Sequence, residues 1–272
     1  MRRDLTGIIA ILTLSFLSIS GASGQRMRVP AMEVLDTIHT RLLYTYHWHD
    51  PKTKGETHGS TVLNIGKKYS KYESYSDYVA DSLMYESRKD GIDVSQAMFI
   101  LRGVVGVPVP EILTDHTRSD SIRVEDVFVH VSPRSRYQPY YYDEAPKIDW
   151  LIGTEFKEIA GIQVRKATAR WRGRDWTVWF AESIPCFEGP WELMGAPGLI
   201  MVAYDDSGEH EITLDEMRPV NALILDKTEM PGSATTREAY RKYREDFANR
   251  DLKDYKAGKR RAAPLTNFID LE

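Results

Sequence analysis

The sequence predicts a mainly β protein: an antiparallel sheet or half-barrel with a C-terminal amphipathic helix. Apolar and polar residues alternate over several short segments, as expected of strands with one buried face. The turns between these segments are short, which favours antiparallel neighbours. Helical spacing strong enough for a long helix is confined to residues 235–254. Because a parallel sheet needs repeated helical crossovers, we expect about eight or more antiparallel strands.

The first predicted strand has two distinct faces. Its apolar face carries Ile38, Leu42, Tyr44, Tyr46 and Trp48; its polar face carries His39, Arg41, Thr45, His47 and His49. The start of this segment, 32–42, is equally compatible with a helix. Residues 61–65 and 69–75 follow as strands broken at Gly66, and 77–88 is a short helix or an irregular loop.

Two hairpins are predicted in the second half of the chain. Ile162–Trp171 and 175–181 flank a turn at Arg172 and Gly173, where glycine supplies a positive φ. Residues 199–204 and 211–214 flank a second turn at 205–208. Further strands are predicted at 122–131 and 220–225.

The C-terminal helix is predicted from its first turn. Thr235 and Glu238 match a capping box, in which each side chain bonds a free backbone donor of the other residue. Tyr240, Tyr243 and Phe247 then share one face. We expect this face to cover the sheet, in particular the apolar side of 175–181.

The N-terminus has the pattern of a secretory signal peptide. Arg2 and Arg3 precede an apolar run of about a dozen residues, and small residues follow up to Gly24. The sequence predicts a signal peptide at 1–24 and a single β-rich domain at 25–272. The expected location is periplasmic or secreted after cleavage near Gly24; an uncleaved membrane anchor is the alternative.

Charge and composition exclude several classes. The expected mature chain has a net charge near −5, without the basic face of a nucleic-acid-binding protein. No later window holds 18 consecutive apolar residues, so we do not expect a transmembrane mature form. Cys186 is the single cysteine, so no internal disulfide can form, and a buried inert thiol is the simplest interpretation.

Residues 148–205 carry a further pattern. The six residues 195–200 read Gly-Ala-Pro-Gly-Leu-Ile, and around them lie Ile148-Asp149-Trp150, Gly161, Lys166-Ala167-Thr168, Gly173-Arg174, Trp179, Ile184-Pro185 and Gly189-Pro190. In order and spacing this region resembles the GLPGLI family of exported Bacteroidetes proteins, with Ala196 where the family usually has Leu. The family often has a cysteine at the position of Val164, which this chain lacks. The resemblance implies export and supplies no catalytic residues.

The motif region has two interpretations. Proline fixes φ and glycine permits conformations closed to other residues, which indicates a structural crossover. Alternatively, the region lines a functional groove. The candidate binding residues are Trp179, Pro185, Gly189, Pro190, Trp191, Gly195, Pro197, Gly198, Leu199 and Ile200.

Three histidines are candidate metal ligands. His47 and His49 share one predicted strand face, and His58 could fold back beside them after a turn. Imidazole nitrogens that converge in this way can bind zinc. The alternative is a set of exposed histidines near a hairpin tip, and the sequence predicts no cofactor.

Carboxylates near the motif are the candidates for acid–base chemistry. Two of them could act together if burial separated their pKa values. The residues concerned are Glu182, Glu188, Glu192, Asp205 and Asp206. Residues 205–208 also match the beginning of a calcium loop, although a plain β-turn is the simpler interpretation. No established catalytic motif is present, so no catalytic residue is assigned.

These observations predict an exported envelope protein that is not an enzyme. An aromatic-rich sheet face would bind either a hydrophobic ligand, in the manner of lipoprotein carriers, or another envelope protein. The alternative is a periplasmic hydrolase that uses the carboxylates near 195–200.

Overall fold

The computed structural model describes residues 31–90, 107, 109–118, 121–126, 140–227, 233–259, 266 and 269–270. The predicted signal peptide and residues 127–131 of a predicted strand lie outside these ranges. The strands are β1 Met32–Asp50, β2 Gly55–Gly66, β3 Tyr69–Ser74, β4 Glu111–Asp115, β5 Ser121–Asp126, β6 Tyr140–Glu144, β7 Leu151–Ile159, β8 Ile162–Trp171, β9 Arg174–Ala181, β10 Leu199–Asp205, β11 His210–Lys227 and β12 Ser233–Ala234; the helices are α1 Tyr75–Asp90 and α2 Arg237–Lys256.

The strands form one open sheet in the order β12-β6-β5-β4-β3-β2-β1-β11-β10-β9-β8-β7. All neighbours are antiparallel except β12, which pairs with β6 in parallel. The predicted antiparallel β architecture with a C-terminal helix is therefore confirmed. Among the described residues, no helix is both long and apolar enough to cross a bilayer.

The two longest strands lie together at the centre of the sheet. β1 pairs with β11 through 15 residue pairs, from Met32 opposite Lys227 to Trp48 opposite His210. β2 pairs with the other edge of β1. The ladder includes residues 32–42, so this stretch is strand, and the helical alternative is wrong.

β11 joins two strands that the sequence predicted separately. Its interior contains Pro219, opposite Thr40 of β1, and register shifts interrupt the ladder nearby. Only residues 211–213 of β11 pair with β10, so the rest of β11 has one partner strand. Proline is tolerated in edge strands because its missing N–H can face the open side.

Strands from both ends of the sheet share one core. Val124 of β5 and Val178 of β9 belong to the same buried cluster. Trp176, Val178 and Phe180 are at most 1% exposed, which confirms the apolar face predicted for β9. The sheet therefore wraps around its apolar face.

α2 packs at the β6 edge of the sheet. Tyr240 contacts Tyr142, with ring centroids 5.2 Å apart, and Tyr243 contacts Tyr140 at 4.9 Å. The N-cap is Thr236, whose hydroxyl accepts a hydrogen bond from the backbone N–H of Ala239. The N-cap predicted at Thr235 is therefore wrong by one residue.

α1 covers the opposite face of the sheet. Arg41 of β1 is only 3% exposed because its guanidinium lies 4.2 Å from the ring centroid of Tyr78 in α1. It also donates a hydrogen bond from Nε to Asn64 Oδ1 at 2.8 Å. The polar face predicted for β1 is therefore solvated only away from α1.

Candidate functional site

The motif segment, residues 189–198, lies in the connection between β9 and β10, and hydrogen bonds to its backbone groups fix it in place. Gly195 N–H donates to the carbonyl of Phe187 at 2.8 Å, and the indole N–H of Trp150 donates to the carbonyl of Met194 at 2.9 Å. Trp191 has φ 54°, a strained conformation for a residue other than glycine. Strain of this kind persists only where surrounding packing imposes it.

The motif segment fills the interior of the curved sheet. Trp191, Leu193 and Ala196 are buried, and Trp191 lies on Trp176 with ring centroids 5.7 Å apart. Trp191, rather than the C-terminal helix, is therefore the residue that covers Trp176. In the described part of the chain, side chains of the motif segment therefore occupy the concave face of the sheet.

Two motif glycines allow the backbone to approach closely. A Cβ on Gly189 would lie 1.8 Å from the carbonyl oxygen of Leu193, and one on Gly198 would lie 2.2 Å from that of Ala181. Gly195, in contrast, has a positive φ of 79° and open space around it. These contacts support the structural interpretation of the motif.

The other predicted motif residues divide between core and surface. Gly189, Pro190, Leu199 and Ile200 are buried, whereas Pro185, Gly195 and Pro197 are exposed. Trp179 is 8% exposed, with the Lys157 ammonium 4.1 Å from its ring centroid. The tryptophans of this region therefore belong mainly to the core.

Glu192 is the most buried carboxylate of the motif. Arg172 Nε donates to it at 2.7 Å, and Tyr142 donates to its other oxygen at 3.2 Å. The same guanidinium bonds Glu144. Burial raises the pKa of Glu192, and the charge of Arg172 opposes that shift. This network ties the motif segment to β6 and to the turn between β8 and β9.

The remaining candidate carboxylates have separate partners. Glu182 pairs with Arg165 at 2.9 Å, and Asp206 accepts from the Thr177 hydroxyl at 3.3 Å. Asp205 pairs with Arg174 at 2.8 Å and accepts from the backbone N–H of His210 at 2.7 Å. The segment 206–209 is a turn between β10 and β11, as the simpler interpretation predicted.

Glu188 belongs to a compact cluster with Ser70 and His116. The Ser70 hydroxyl donates to Glu188 Oε1 at 3.0 Å and lies 2.7 Å from His116 Nε2, which is 3.0 Å from the same carboxylate oxygen. In a catalytic triad the acid contacts the opposite ring nitrogen. Ser70 is also completely buried, so this arrangement does not present a nucleophile.

Cys186 lies beside this cluster as a free thiol. Its Sγ donates to the carbonyl of Glu188 at 3.4 Å. Burial and then the charge of Glu188 raise the pKa of Cys186 to about 12. Because the thiolate is the reactive form, this environment fits the inert thiol expected from the sequence.

The clearest apolar opening lies where β10 and β11 separate. Only Val202, Ala203 and Tyr204 of β10 pair with β11, and Leu199 and Ile200 pair with β9 alone. A groove of about 480 Å³, called the seam groove below, occupies the gap. Its apolar lining comprises Ala160, Ile162, Ile184, Leu199, Met201, Leu214, Met217 and Pro219, and its polar lining comprises Thr40, Asp215, Glu216 and Arg218.

A buried ionic cluster lies on the α1 side of the sheet. Lys71 is 3.0 Å from Glu73 and from Glu111, and Lys227 bridges Glu111 and Asp81 at 2.9 and 3.0 Å. Burial alone would lower the pKa of Lys71, but the surrounding carboxylates raise it well above its usual value. The cluster anchors α1 to β3, β4 and β11.

Glu73, Asp81 and Glu111 are also the one group of three metal-ligating side chains in the described ranges whose ligand atoms converge within 4.8 Å. Each of these carboxylates pairs with Lys71, and Asp81 and Glu111 also pair with Lys227, so the chemistry of the cluster is that of ion pairs. The sequence alone does not predict this cluster, because α1 and β11 meet β3 only in the folded chain. The available signal was that Lys71 and Glu73 are two residues apart and therefore lie on the same face of a strand.

The histidines proposed as metal ligands do lie on neighbouring strands. His47 of β1 is directly opposite His58 of β2, and their ring centroids are 5.5 Å apart. His49 is opposite Glu56 in the same ladder. All four side chains are exposed.

Comparisons with known proteins place the chain in no family. No family model matches it, and no curated protein matches it. Two solved structures of PNGF-II, in space groups C2 and P21, are similar to 75% of this chain at 11% sequence identity, with TM-scores of 0.48 and 0.46. This chain spans 32% of the length of each PNGF-II chain, and at this level of similarity neither match assigns a role to any residue here.

Proposed function

We propose that this chain is an exported, GLPGLI-like protein that binds an apolar ligand, such as a fatty-acyl chain, in the seam groove. The observation that carries the proposal is the separation of β10 from β11, which leaves an apolar gap in the sheet next to the motif. A volume of about 480 Å³ is within the range typical of small-molecule sites.

The lining of the groove suits a flexible apolar ligand. Met201 and Met217 are adaptable side chains that can pack against different shapes. Met217 is 48% exposed, so an occupant would remove apolar surface from water. Leu199, the fifth residue of the GLPGLI-like motif, and Ile184 form part of the same wall.

Polar groups at the rim can orient the ligand. Glu216 and Arg218 lie on β11, with Oε1 and Nε 3.6 Å apart and both side chains more than 40% exposed. Arg218 is the cation of the lining, beside the carboxylates of Asp215 and Glu216, so a ligand carboxylate would take the place of Glu216 on Arg218. A fatty acid has this combination of an apolar chain and a carboxylate.

The hydrolase alternative receives less support. Acid–base catalysis by two carboxylates requires two of them near one substrate atom. Here Glu182, Glu188 and Glu192 each bind a different cationic or hydroxyl partner.

The test is titration of the chain, without the predicted signal peptide, with a fluorescent fatty acid. Met217→Asp places a charge in the groove and should weaken binding by at least about tenfold. Val34→Asp is the matched control, since Val34 is 42% exposed on β1 and lies outside the groove. The proposal would be overturned if the parent protein bound no fatty acid, or if Met217→Asp bound it as tightly as the parent and Val34→Asp do.

A further inference from the structure

Exposed histidines and glutamates form a regular patch on the side of the sheet opposite the core. The patch, called the histidine patch below, consists of His47 and His49 on β1, Glu56 and His58 on β2, and Glu211 on β11. Because β1 lies between β2 and β11, its histidines have a neighbour on each side. All five side chains are exposed.

The strand register places three potential ligands in one row. His47 is opposite His58 on β2 and opposite Glu211 on β11. Side chains directly opposite each other in antiparallel strands have Cβ atoms about 4.5–5.5 Å apart. The 5.5 Å separation of the two imidazole centroids agrees with this spacing.

We propose that His47 and His58 bind a zinc ion, with Glu211 as the third protein ligand. Two imidazoles and a carboxylate are a common ligand set for zinc, and water would complete the tetrahedron. The register holds the three Cβ atoms in place before a metal arrives, so little backbone order has to be gained on binding.

The side chains must rotate to share an ion. The two rings are stacked with an interplanar angle of 18°, whereas zinc needs a nitrogen of each ring at about 2.0–2.1 Å. Both histidines are exposed, so the rotation breaks no buried packing. Loss of the ring stacking is the main cost.

The electrostatic environment of the patch favours a cation. An open groove of about 410 Å³ beside it is lined by His47, His49, four carboxylates and small or hydroxyl residues, with no lysine or arginine in its lining. One of the carboxylates, Glu209, pairs with Arg174 at 3.0 Å, and another, Asp215, accepts from the Thr45 hydroxyl at 2.7 Å. Glu56 and Glu211 are the nearest to the histidine pair in the strand register.

The histidine patch differs in its chemistry from the buried carboxylates Glu73, Asp81 and Glu111. There the ligand atoms converge, but Lys71 and Lys227 lie among them. In the histidine patch, neutral imidazoles supply nitrogen ligands, which zinc accepts readily. Access from solvent is open, so an ion can enter without unfolding.

The test is isothermal titration calorimetry with zinc chloride at pH 7.5, on a protein without an affinity tag. His47→Gln and His58→Gln should each reduce zinc affinity by at least about tenfold, and Glu211→Gln by a smaller factor, because each removes one ligand. His39→Gln is the matched control. His39 is also exposed on β1, but its ring bonds Thr40 and the carbonyl of Gly66.

A second readout follows the imidazole rings directly. On addition of zinc, NMR signals of His47 and His58 should shift together while those of His39 remain in place. Lowering the pH to 5 should weaken binding, because protons compete with the metal for imidazole nitrogen. Parent-like affinity in both the His47→Gln and His58→Gln variants, or no zinc binding by the parent protein, would refute the site.

Discussion

The indole rings of Trp191 and Trp176 lie 5.7 Å apart between centroids and join the motif segment to β9. The two residues are 15 positions apart in the chain and both are buried. Trp191 makes this contact with a positive φ of 54°. Strain of this kind persists only where the surrounding structure imposes it, so the packing around Trp191 holds this backbone conformation in place.

Gly198→Val should destabilise the fold strongly. A Cβ at this position meets the backbone carbonyl of Ala181, which cannot rotate away as a side chain could. We expect a loss of about 3 kcal/mol or more in the free energy of unfolding, measured by chemical denaturation. Gly195→Ala is the matched control and should lose about 1 kcal/mol, because it has a positive φ but no steric neighbour.

Pro197→Ala completes this series. Pro197 is exposed, so we expect a loss of less than about 1 kcal/mol, caused mainly by greater freedom of the unfolded chain. If Gly198→Val unfolded like the parent, the structural interpretation of the motif would be wrong.

Glu125→Gln should make the protein more stable at alkaline pH. Burial, then Glu111 and Asp226, raise the pKa of Glu125 to about 7 from a usual value of 4.5. The folded state therefore binds this proton more tightly than the unfolded state does. The contribution of the protonated Glu125 carboxyl to the free energy of unfolding is complete below pH 4.5 and is lost as the pH rises through 7. The variant should gain about 1–2 kcal/mol over the parent at pH 8.5 after solvent screening.

The measurement is urea denaturation of both proteins at pH 4.5 and 8.5. The gain from Glu125→Gln should be larger at the higher pH. Glu158→Gln, at an exposed position of β7, is the control and should show no such difference. An equal effect of Glu125→Gln at the two pH values would contradict the assignment.

Export should remove the first 24 residues. Expressed with its own N-terminus, the protein should be recovered from the periplasmic or secreted fraction with Gln25 as its first residue, determined by mass spectrometry. Leu12→Arg interrupts the apolar run and should leave the precursor uncleaved. Recovery of the intact chain anchored in the inner membrane would rule out the predicted cleavage.

The sequence predicted those parts of the fold that local patterns determine. The hairpin between β8 and β9 is an example: Ile162–Trp171 matches β8, and Arg172 and Gly173 both have positive φ in the turn. The pairing of β1 with β11 could not be predicted in the same way, because the two strands are far apart in sequence. β7 was missed because its residues are largely exposed on both faces, so it lacks an alternating pattern.

The candidate sites, too, could be predicted only where a local sequence pattern indicates them. Strand alternation placed His47 and His49 on one polar face, and His58 was expected to fold back beside them. The register has His58 opposite His47 and adds Glu211, which the sequence did not indicate. The seam groove had no local signal. It exists because β10 leaves β11 after three residue pairs, and the chain between them gives no indication of where pairing stops.

The pairing of β1 with β11 also determines when the protein can fold. The 15 pairs at the centre of the sheet join residues 32–48 to 210–227. Contacts so distant in sequence form slowly, because a long loop must close before any of them is gained. A chain still being synthesised has β2 beside β1 early, but it lacks β11, the other partner strand, until most of its length has been made. The ladder between β1 and β11 is therefore absent during that time, and the sheet can be completed only after residues 210–227 have been made.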